Sequence, residues 1–395
     1  MKKKLLFVID SLDCAGAEKS LVTLLGLLDY SKYDVDLVLF AHGKTLQSLV
    51  PDDVTIIEPF PYTIFTTQPL AHSLKTVWRQ PHFLWSRLSY SLKLRSGEHD
   101  NIKKARLYWE SASRAIKELP DTYDTAFAYA QGVPTFFVAE KVKARQKYAW
   151  VNVSYRLTGK EKTFQRKHYD QFNKIVAVSA MTKDIFLENY PDICEKMTVI
   201  HDINNPEMIS QMAELDGGYN DGFTGLRLLT IGRLARQKGY DMALEACKKL
   251  KENGTHFKWY VLGKGPLQEE IEATIKEYQL EEHFILLGVK ANPYPYIKQA
   301  DLYVQTSRFE GFGIALAEAR MLNTPVVTTR FDAVFTQMVD GKNGLVVDMD
   351  SDAIFKGIMT LIQDEQLTAA IKDYQRQEKK GNIEEIEKVY ALIHS

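Results

Sequence analysis

The chain is a succession of short apolar runs, each leading through a polar or Gly-containing loop into a helical pattern. No other feature limits its possible folds as much. It opens with the strand pattern "KLLFVID", the loop "SLDCAGA", a helix in "EKSLVTLLGLL" with apolar positions at helical spacing, and the next strand, "DVDLVLF". Runs that are apolar throughout, rather than alternating, need cover on both faces, and a helix between consecutive strands makes those strands parallel. "TAFAYA", "KYAWVNV" and "KIVAVS" extend this first series, the last leading into helix "AMTKDIFLENY". A second series begins at "LRLLTIG" and continues as helix "YDMALEACKKLKEN", strand "KWYVLG", helix "PLQEEIEATIKEY", strand "FILLG", helix "PYPYIKQA", strand "DLYVQT", a helix in "FGIALAEA" and strand "PVVTT". The expected class is α/β, with two doubly wound domains.

At 395 residues the length suits two domains, since domains run roughly 100–200 residues each. The expected division is 1–205 for the first domain, 206–225 for a linker that includes the Gly-rich "AELDGGYNDGFTG", 226–375 for the second domain, and a terminal segment, 376–395. A formal net charge of -1 argues against a nucleic-acid partner, so any anion site is local. Three widely spaced cysteines, Cys14, Cys194 and Cys247, suit neither a disulfide framework nor a zinc site and fit a reducing, cytoplasmic compartment. The run Leu5–Ile9 is too short for a secretory signal, and no apolar run approaches the ~20 residues of a membrane span. Any membrane contact is expected to be peripheral.

Residues 61–110 change character, interleaving Trp78, Phe83, Trp85, Tyr90 and Trp109 with Lys75, Arg79, Arg87, Lys93, Arg95 and further cations. This basic, aromatic insertion reads either as a contact with an anionic membrane surface or as a pair of domain helices with solvated Lys and Arg.

Ligands of open α/β sheets sit beyond the carboxyl ends of the strands, and in the second domain those loops hold the unusual residues. After "LRLLTI" comes "GRLARQKG", with Arg233 and Lys238; after "WYVL" comes "GKGP", where Gly263 and Gly265 let the backbone turn tightly or approach a ligand as binding residues; after "DLYVQT" comes "SRFEGFGIALAEA". Gly311 and Gly313 precede a helix whose first N–H groups, near Phe312, Gly313, Ile314 and Ala315, form an anion site fit for a phosphate. Glu318 lies about 6 Å along that helix at 1.5 Å per residue, a reach that suits a ribose joined to the phosphate. Glu310 lies on the other side, where a transferred group belongs. Two carboxylates beside a diphosphate need compensating cations, since like charges at ~4 Å cost about 4 kcal/mol at an effective dielectric of 20. Arg233 and Lys238 supply them and stabilise the diphosphate as it leaves.

In these motifs the chain resembles the retaining glycosyltransferases of family 4, of bacterial surface-polysaccharide type, strongly over 226–365 and loosely before that. "GRL…KG", "G.GP" and the Glu-x7-Glu pair carry the likeness. It implies the GT-B fold, in which two Rossmann-like domains face each other across a cleft and close over the donor. It implies that Arg233 and Lys238 hold the donor diphosphate, that Glu318 takes the ribose, that Glu310 meets the donor sugar near its anomeric centre, and that 376–395 contains a helix crossing back to the first domain. It also implies a nucleotide-sugar donor, a uridine diphosphate sugar being expected, with no further cofactor. The acceptor it implies is a glycan or a lipid-linked glycan at the inner face of the cell membrane.

The first domain departs from that pattern in two places. Its first loop has Ala15 and Gly16 where two glycines are common, so only the Gly16 backbone is carried over as a donor contact, the alternative being a turn residue. Asn152 stands where many members have histidine; it reads as a sugar contact or as a satisfied buried amide, and it cannot act as a base near neutral pH. Two routes stay open, with the leaving phosphate oxygen taking the acceptor proton on the same face, or with Glu310 as a covalent nucleophile. Asp34 with Asp36 is expected on the solvent face of a strand, and Asp348 with Asp350 as loop and cap residues, so no metal is expected. A dinucleotide-dependent oxidoreductase lacks its G-x-G-x-x-G turn, as "GKGPLQ" stops one glycine short. A nucleotide-sugar epimerase of the same fold and a non-catalytic activator subunit are the alternatives to transfer.

Overall fold

The computed structural model describes residues 2–13, 16–68, 79–95, 100–152, 157, 159–290, 292–310, 313–332 and 334–395. The chain divides into two compact units, Met1–Asn204 with Ile383–Ser395, and Asn205–Asn382.

The first unit is built on a parallel sheet ordered β3-β2-β1-β4-β5-β6-β7. Its strands are Lys3–Ser11 (β1), Tyr33–Ala41 (β2), Val54–Ile56 (β3), Thr122–Ala128 (β4), Lys143–Val151 (β5), Lys174–Ala177 (β6) and Met197–Val199 (β7). Helix Gly16–Leu27 (α1) makes the first crossover, and helices Val133–Lys141 (α5), Gly159–Tyr169 (α6) and Ala180–Asn189 (α7) follow β4, β5 and β6. Leu5 through Ile9 are buried without interruption, as a strand covered on both faces requires. Leu6 and Val8 join Trp109, Phe136 and Phe137 in one core layer, while Phe7 between them stacks on Phe127 with ring centroids 4.6 Å apart. Successive side chains thus serve opposite faces.

Covering both faces also corrects the reading of Asp34 and Asp36 as a shared solvent face. Asp34 is exposed, but Asp36 is buried, accepts a hydrogen bond from Tyr123 Oη at 2.8 Å and lies 3.4 Å from Lys4 Nζ. β2 is an interior strand between β1 and β3, so its two faces both meet protein.

Within 61–110 the structure has helices Pro61–Thr67 (α2), Pro81–Leu94 (α3) and Asn101–Ala112 (α4). Asp100 caps α4 by accepting from Lys103 N at 2.7 Å, a favourable helix start. Much of the basic and aromatic content turns inward. Phe83 packs edge-on to Tyr62 at 5.3 Å, and buried Trp109 donates Nε1–H to Glu140 at 3.0 Å. Buried Arg106 bridges Glu110 and Glu161. Arg87 donates to the carbonyls of Phe65 and Gln68 at the end of α2. Lys75 and Trp78 lie outside the described residues.

The second unit carries a parallel sheet ordered β10-β9-β8-β11-β12-β13. Its strands are Leu226–Ile231 (β8), Phe257–Leu262 (β9), Phe284–Gly288 (β10), Leu302–Gln305 (β11), Val326–Thr329 (β12) and Leu345–Val347 (β13). The helices are Pro206–Ala213 (α8), Tyr240–Glu252 (α9), Gln268–Glu277 (α10), Tyr294–Gln299 (α11), Ile314–Met321 (α12), Ser351–Gln363 (α13) and Glu365–Gln377 (α14). Asp350 caps α13 through Ala353 N at 2.8 Å. The chain winds outward from β8 to β10 and then returns to place β11 on the other side of β8. That reversal is a topological switch point, where two loops after neighbouring strands diverge and leave a crevice.

The segment 206–225, read as a linker, begins as helix α8. Ile209, Met212 and Ala213 are buried, Asn205 caps the helix start, and Asn292 donates to the Met212 carbonyl at 2.7 Å. The Gly-rich remainder is held by Tyr219, whose hydroxyl donates to the Tyr296 carbonyl at 3.2 Å. After α14 the chain returns to the first unit as helix Ile386–His394 (α15). There Tyr148 Oη donates to the Leu392 carbonyl and Lys3 Nζ to the Ile393 carbonyl, both at 2.8 Å, and Tyr390 stacks on Tyr33 at 5.9 Å.

Candidate active site

The loops after β8 and β11 meet at the switch point of the second sheet. The loop after β8 makes one tight turn, Arg236–Lys238, and ends in Gly239 with φ +65°. Gly239 has no room for a side chain, since a Cβ there would lie 2.1 Å from the Thr306 carbonyl oxygen. This close approach lets the two loops bond directly. Thr306 Oγ1 donates to the Lys238 carbonyl at 2.8 Å, Arg308 N to the Gln237 carbonyl at 2.7 Å, and Gln237 Nε2 to the Phe309 carbonyl at 2.9 Å.

That arrangement sets Lys238 against Glu310, with Nζ 2.5 Å from Oε1 and side chains only 17% and 9% exposed. Ser307 Oγ donates to the same carboxylate oxygen at 2.6 Å, and Gln237 Nε2 approaches the other at 3.4 Å. A largely desolvated ion pair with further donors is a strongly oriented one. Behind it, Tyr240 donates its hydroxyl to the Gly232 carbonyl at 2.9 Å. Burial, and secondarily the Glu310 charge, hold the Tyr240 phenol well above its usual range, so it stays a neutral donor.

The loop after β9 packs under the loop after β8, which explains Gly263 and Gly265. A Cβ on Gly263, whose φ is +151°, would lie 2.0 Å from the Gly232 carbonyl oxygen, and one on Gly265 would lie 2.3 Å from that of Leu234. These two glycines therefore serve backbone-to-backbone packing of two loops, in addition to the tight turn or ligand approach expected of them.

Gly313, with φ +82°, caps α12 and, being glycine, brings no side-chain hydrogen bond to the start of that helix. Ile314 opens the helix, whose first N–H groups have no partner within the helix and lie at the end of the sheet where the Lys238–Glu310 pair lies. Gly311 and Phe312 lie outside the described residues. The cap is braced from behind, as Gln337 Nε2 donates to the Gly313 carbonyl at 3.4 Å and Arg320 donates to Gln337 Oε1 at 3.3 Å. Arg320 also pairs with Glu378 at 2.7 Å. Gln305, on β11, is buried, and its Nε2 has no acceptor among the described residues.

Glu318 lies five residues into α12 and is buried, accepting a hydrogen bond from Tyr294 Oη at 2.8 Å. The structure therefore joins Lys238, Glu310, Gly313, Ile314 and Glu318 in one loop-and-helix arrangement, with Gly263 and Gly265 shaping its floor. Arg233 lies on the same loop but is exposed and makes no ion pair among the described residues. Gly16, which opens α1, and Asn152 belong to the other unit. Asn152 Nδ2 donates to the Tyr129 carbonyl at 3.1 Å, tying the ends of β4 and β5, and its Oδ1 is buried with no partner among the described residues.

Sequence reasoning missed Ser307, Gln237, Gly239 and Tyr294. Only Gly239 left a signal, as the glycine following Lys238 in "GRLARQKG". Among the described residues, no cluster of three or more His, Cys, Asp or Glu could hold a metal ion.

Residues 224–378 match a family described as "Glycosyl transferases group 1". The chain is 30% identical over 207 residues to an N-acetylgalactosamine-N,N'-diacetylbacillosaminyl-diphospho-undecaprenol 4-alpha-N-acetylgalactosaminyltransferase of Campylobacter jejuni, a match covering 52% of this chain and 55% of that protein. It is 30% identical over 149 residues to the amylovoran biosynthesis glycosyltransferase AmsK of Erwinia amylovora, covering 35% of this chain and 37% of the relative. The chain thus spans about half, or less, of the length of these relatives. Among solved structures, Anabaena HepE in complex with UDP-glucose has a TM-score of 0.63 at 18% identity, covering 98% of each chain. A variant of S. aureus TarM solved with UDP has a TM-score of 0.65 at 16% identity, covering 100% of each. The fold is GT-B; the second unit carries the match to glycosyl transferases group 1, and the chain is similar in sequence to glycosyltransferases such as that of amylovoran biosynthesis.

Proposed function

We propose that the chain is a retaining glycosyltransferase that needs no metal and moves a sugar from a nucleoside diphosphate donor, a UDP-sugar, to a hydroxyl of a glycan or lipid-linked acceptor. The observation that carries this reading is the Lys238–Glu310 pair beside the glycine-capped start of α12. A cation and free helix amides suit a diphosphate, and Glu310 stands next to that position, where a donor sugar belongs. Arg233, exposed on the same loop, is a second cation for the diphosphate, and Glu318 with Tyr294 is the ribose end of the site. Gly16 and Asn152 are proposed as donor contacts from the first unit, and Gly263, Gly265, Phe312, Gly313 and Ile314 as donor-binding residues of the second.

In the reaction, the bond from the anomeric carbon to the phosphate oxygen breaks, the acceptor oxygen bonds that carbon, and the acceptor proton passes to the phosphate. Cations at the leaving diphosphate lower that barrier electrostatically. One Glu310 oxygen already accepts from both Lys238 and Ser307, which lowers its nucleophilicity. That favours proton transfer to the leaving phosphate over a covalent glycosyl-enzyme. The lipid-linked acceptor and a place at the inner membrane face are supported by the diphospho-undecaprenol substrate in the name of the Campylobacter relative.

The test is a thermal-shift screen against UDP, GDP and ADP sugars, since a ligand binding only the folded state raises the melting temperature, followed by transfer assays on two variants. Glu310→Ala abolishes transfer and leaves UDP affinity within about twofold. Lys238→Ala weakens UDP binding by about tenfold or more, the loss of a hydrogen bond between charged groups. Equal losses of UDP affinity in both variants, or no stabilisation by any nucleotide, would contradict the assignment. Release of a free epimerised sugar without acceptor would favour the epimerase instead.

A further inference from the structure

Helix α3 is apolar on two sides, with Phe83 and Leu84 turned to the core and a second apolar row turned outward. Its outward row is Pro81, Trp85, Leu88, Leu92 and Arg95, all exposed, within an arc of about 80° at about 100° per residue. Trp85 is 73% exposed, Leu92 65% and Leu88 41%, and Ile64 on the adjoining α2 is 43% exposed. Two of its cations are held by protein partners instead. Arg87 is spent on the carbonyls closing α2, and Lys93 reaches Ser111 Oγ at 3.1 Å and Glu110 at 3.7 Å. Single exposed apolar side chains are ordinary, but an apolar row along the crest of a surface helix, led by a tryptophan, marks an interaction surface.

Charge identifies the partner. Over the described residues of 79–112, seven Lys and Arg stand against two acids, Asp100 and Glu110, with Arg87, Lys93 and Arg106 turned to partners within the protein. Arg79 and Arg95 are exposed at the two ends of the apolar row, and Lys104 on α4 is exposed as well. Apolar side chains flanked by exposed cations match an anionic lipid surface, where the side chains enter the headgroup–acyl boundary and the cations meet phosphates. A protein partner would need apolar and acidic complementarity together, and a second copy of this helix would bring cations against cations. We propose that the outward row of α3, Trp85, Leu88 and Leu92 bordered by Arg79 and Arg95, docks the protein on an anionic bilayer. This proposal deepens the membrane place in the transferase reading, and its test needs neither donor nor acceptor, so it fails separately from sugar transfer.

The 395-residue chain is sedimented with vesicles of phosphatidylcholine, alone or with about a third phosphatidylglycerol. It binds the anionic vesicles, and binding weakens as salt rises. The double variant Leu88→Asp with Leu92→Asp lowers the vesicle partition coefficient at least about tenfold, with an unchanged melting temperature, because both side chains are exposed. Bound protein shows a blue shift in tryptophan emission that is lost in Trp85→Phe. No binding to anionic vesicles, or undiminished binding by the double variant, would overturn the proposal. So would a dimer that the double variant dissolves, which would assign the row to a second copy of the chain.

Discussion

Gly239 joins the two loops that build the site, and replacing it with alanine tests whether their contact is needed. The variant incurs two costs that the structure separates. The first is conformational: φ is +65°, and a side chain in the left-handed region costs about 1–2 kcal/mol. The second is steric. The new Cβ lies 2.1 Å from the Thr306 carbonyl oxygen, about 0.9 Å inside the 3.0 Å that real Cβ contacts keep. That carbonyl is main chain, pinned by the Thr306 hydroxyl on Lys238 O, so the loop must shift at an overpacking cost of about 1–3 kcal/mol. Gly254 is the control, with φ +76° and nothing within 4 Å of its Cβ position. Gly254→Ala therefore destabilises by about 1–2 kcal/mol, and Gly239→Ala by about 2–5 kcal/mol. Urea unfolding measures both, and calorimetric titration with UDP measures the functional part. Displacing Thr306 moves Ser307 and Glu310 with it, so Gly239→Ala loses UDP affinity by about tenfold or more while Gly254→Ala keeps it. Equal destabilisation of the two variants, or wild-type UDP affinity and turnover in Gly239→Ala, would refute the reasoning.

Tyr294→Phe removes a hydrogen bond to the buried Glu318 carboxylate, worth about 1.5–3 kcal/mol for a charged acceptor. Unfolding free energy drops by that amount, and UDP affinity falls more than affinity for inorganic pyrophosphate, because only UDP carries the ribose; equal losses for the two ligands would remove Glu318 from that role. Burial pushes the Asp202 carboxyl from 3.8 up to about 6, against a smaller opposing effect of its hydrogen bond with Ser20. The folded state thus keeps a proton that the unfolded chain releases, so this contribution to stability is full below about pH 4 and is lost as pH rises through about 6. Melting temperatures followed from acid to neutral pH show a smaller decline for Asp202→Asn than for wild type, and parallel curves would contradict the shift.

The helix-alternating apolar runs made both parallel sheets legible, because a strand buried on two faces has to be apolar along its length. Leu5–Ile9 and "LRLLTI" announce such strands directly. Val54–Ile56, Met197–Val199 and Leu345–Val347 were not legible, being three-residue strands at sheet edges, too short to carry a period. In the site, the charged residues could be read as candidates because loops after parallel strands converge at one end of a sheet, whatever the sheet's details. Their supporting shell could not. Ser307 and Tyr294 are ordinary polar residues until folding brings them to Glu310 and Glu318.

The insertion shows the same division from the other side. Composition marked 61–110 as basic and aromatic but was silent on direction, and the structure turned Phe83, Trp109 and Arg106 inward while leaving Trp85, Leu88 and Leu92 in solvent. The local sequence determined which segments are strands, which loops bear charge and where glycine relieves the backbone, since those follow from each residue's own conformational and solvation preferences. Tertiary structure decided which carboxylate meets which cation and which face of a helix stays bare. Those outcomes depend on distances between residues remote in the chain, and local preferences contain no information about them.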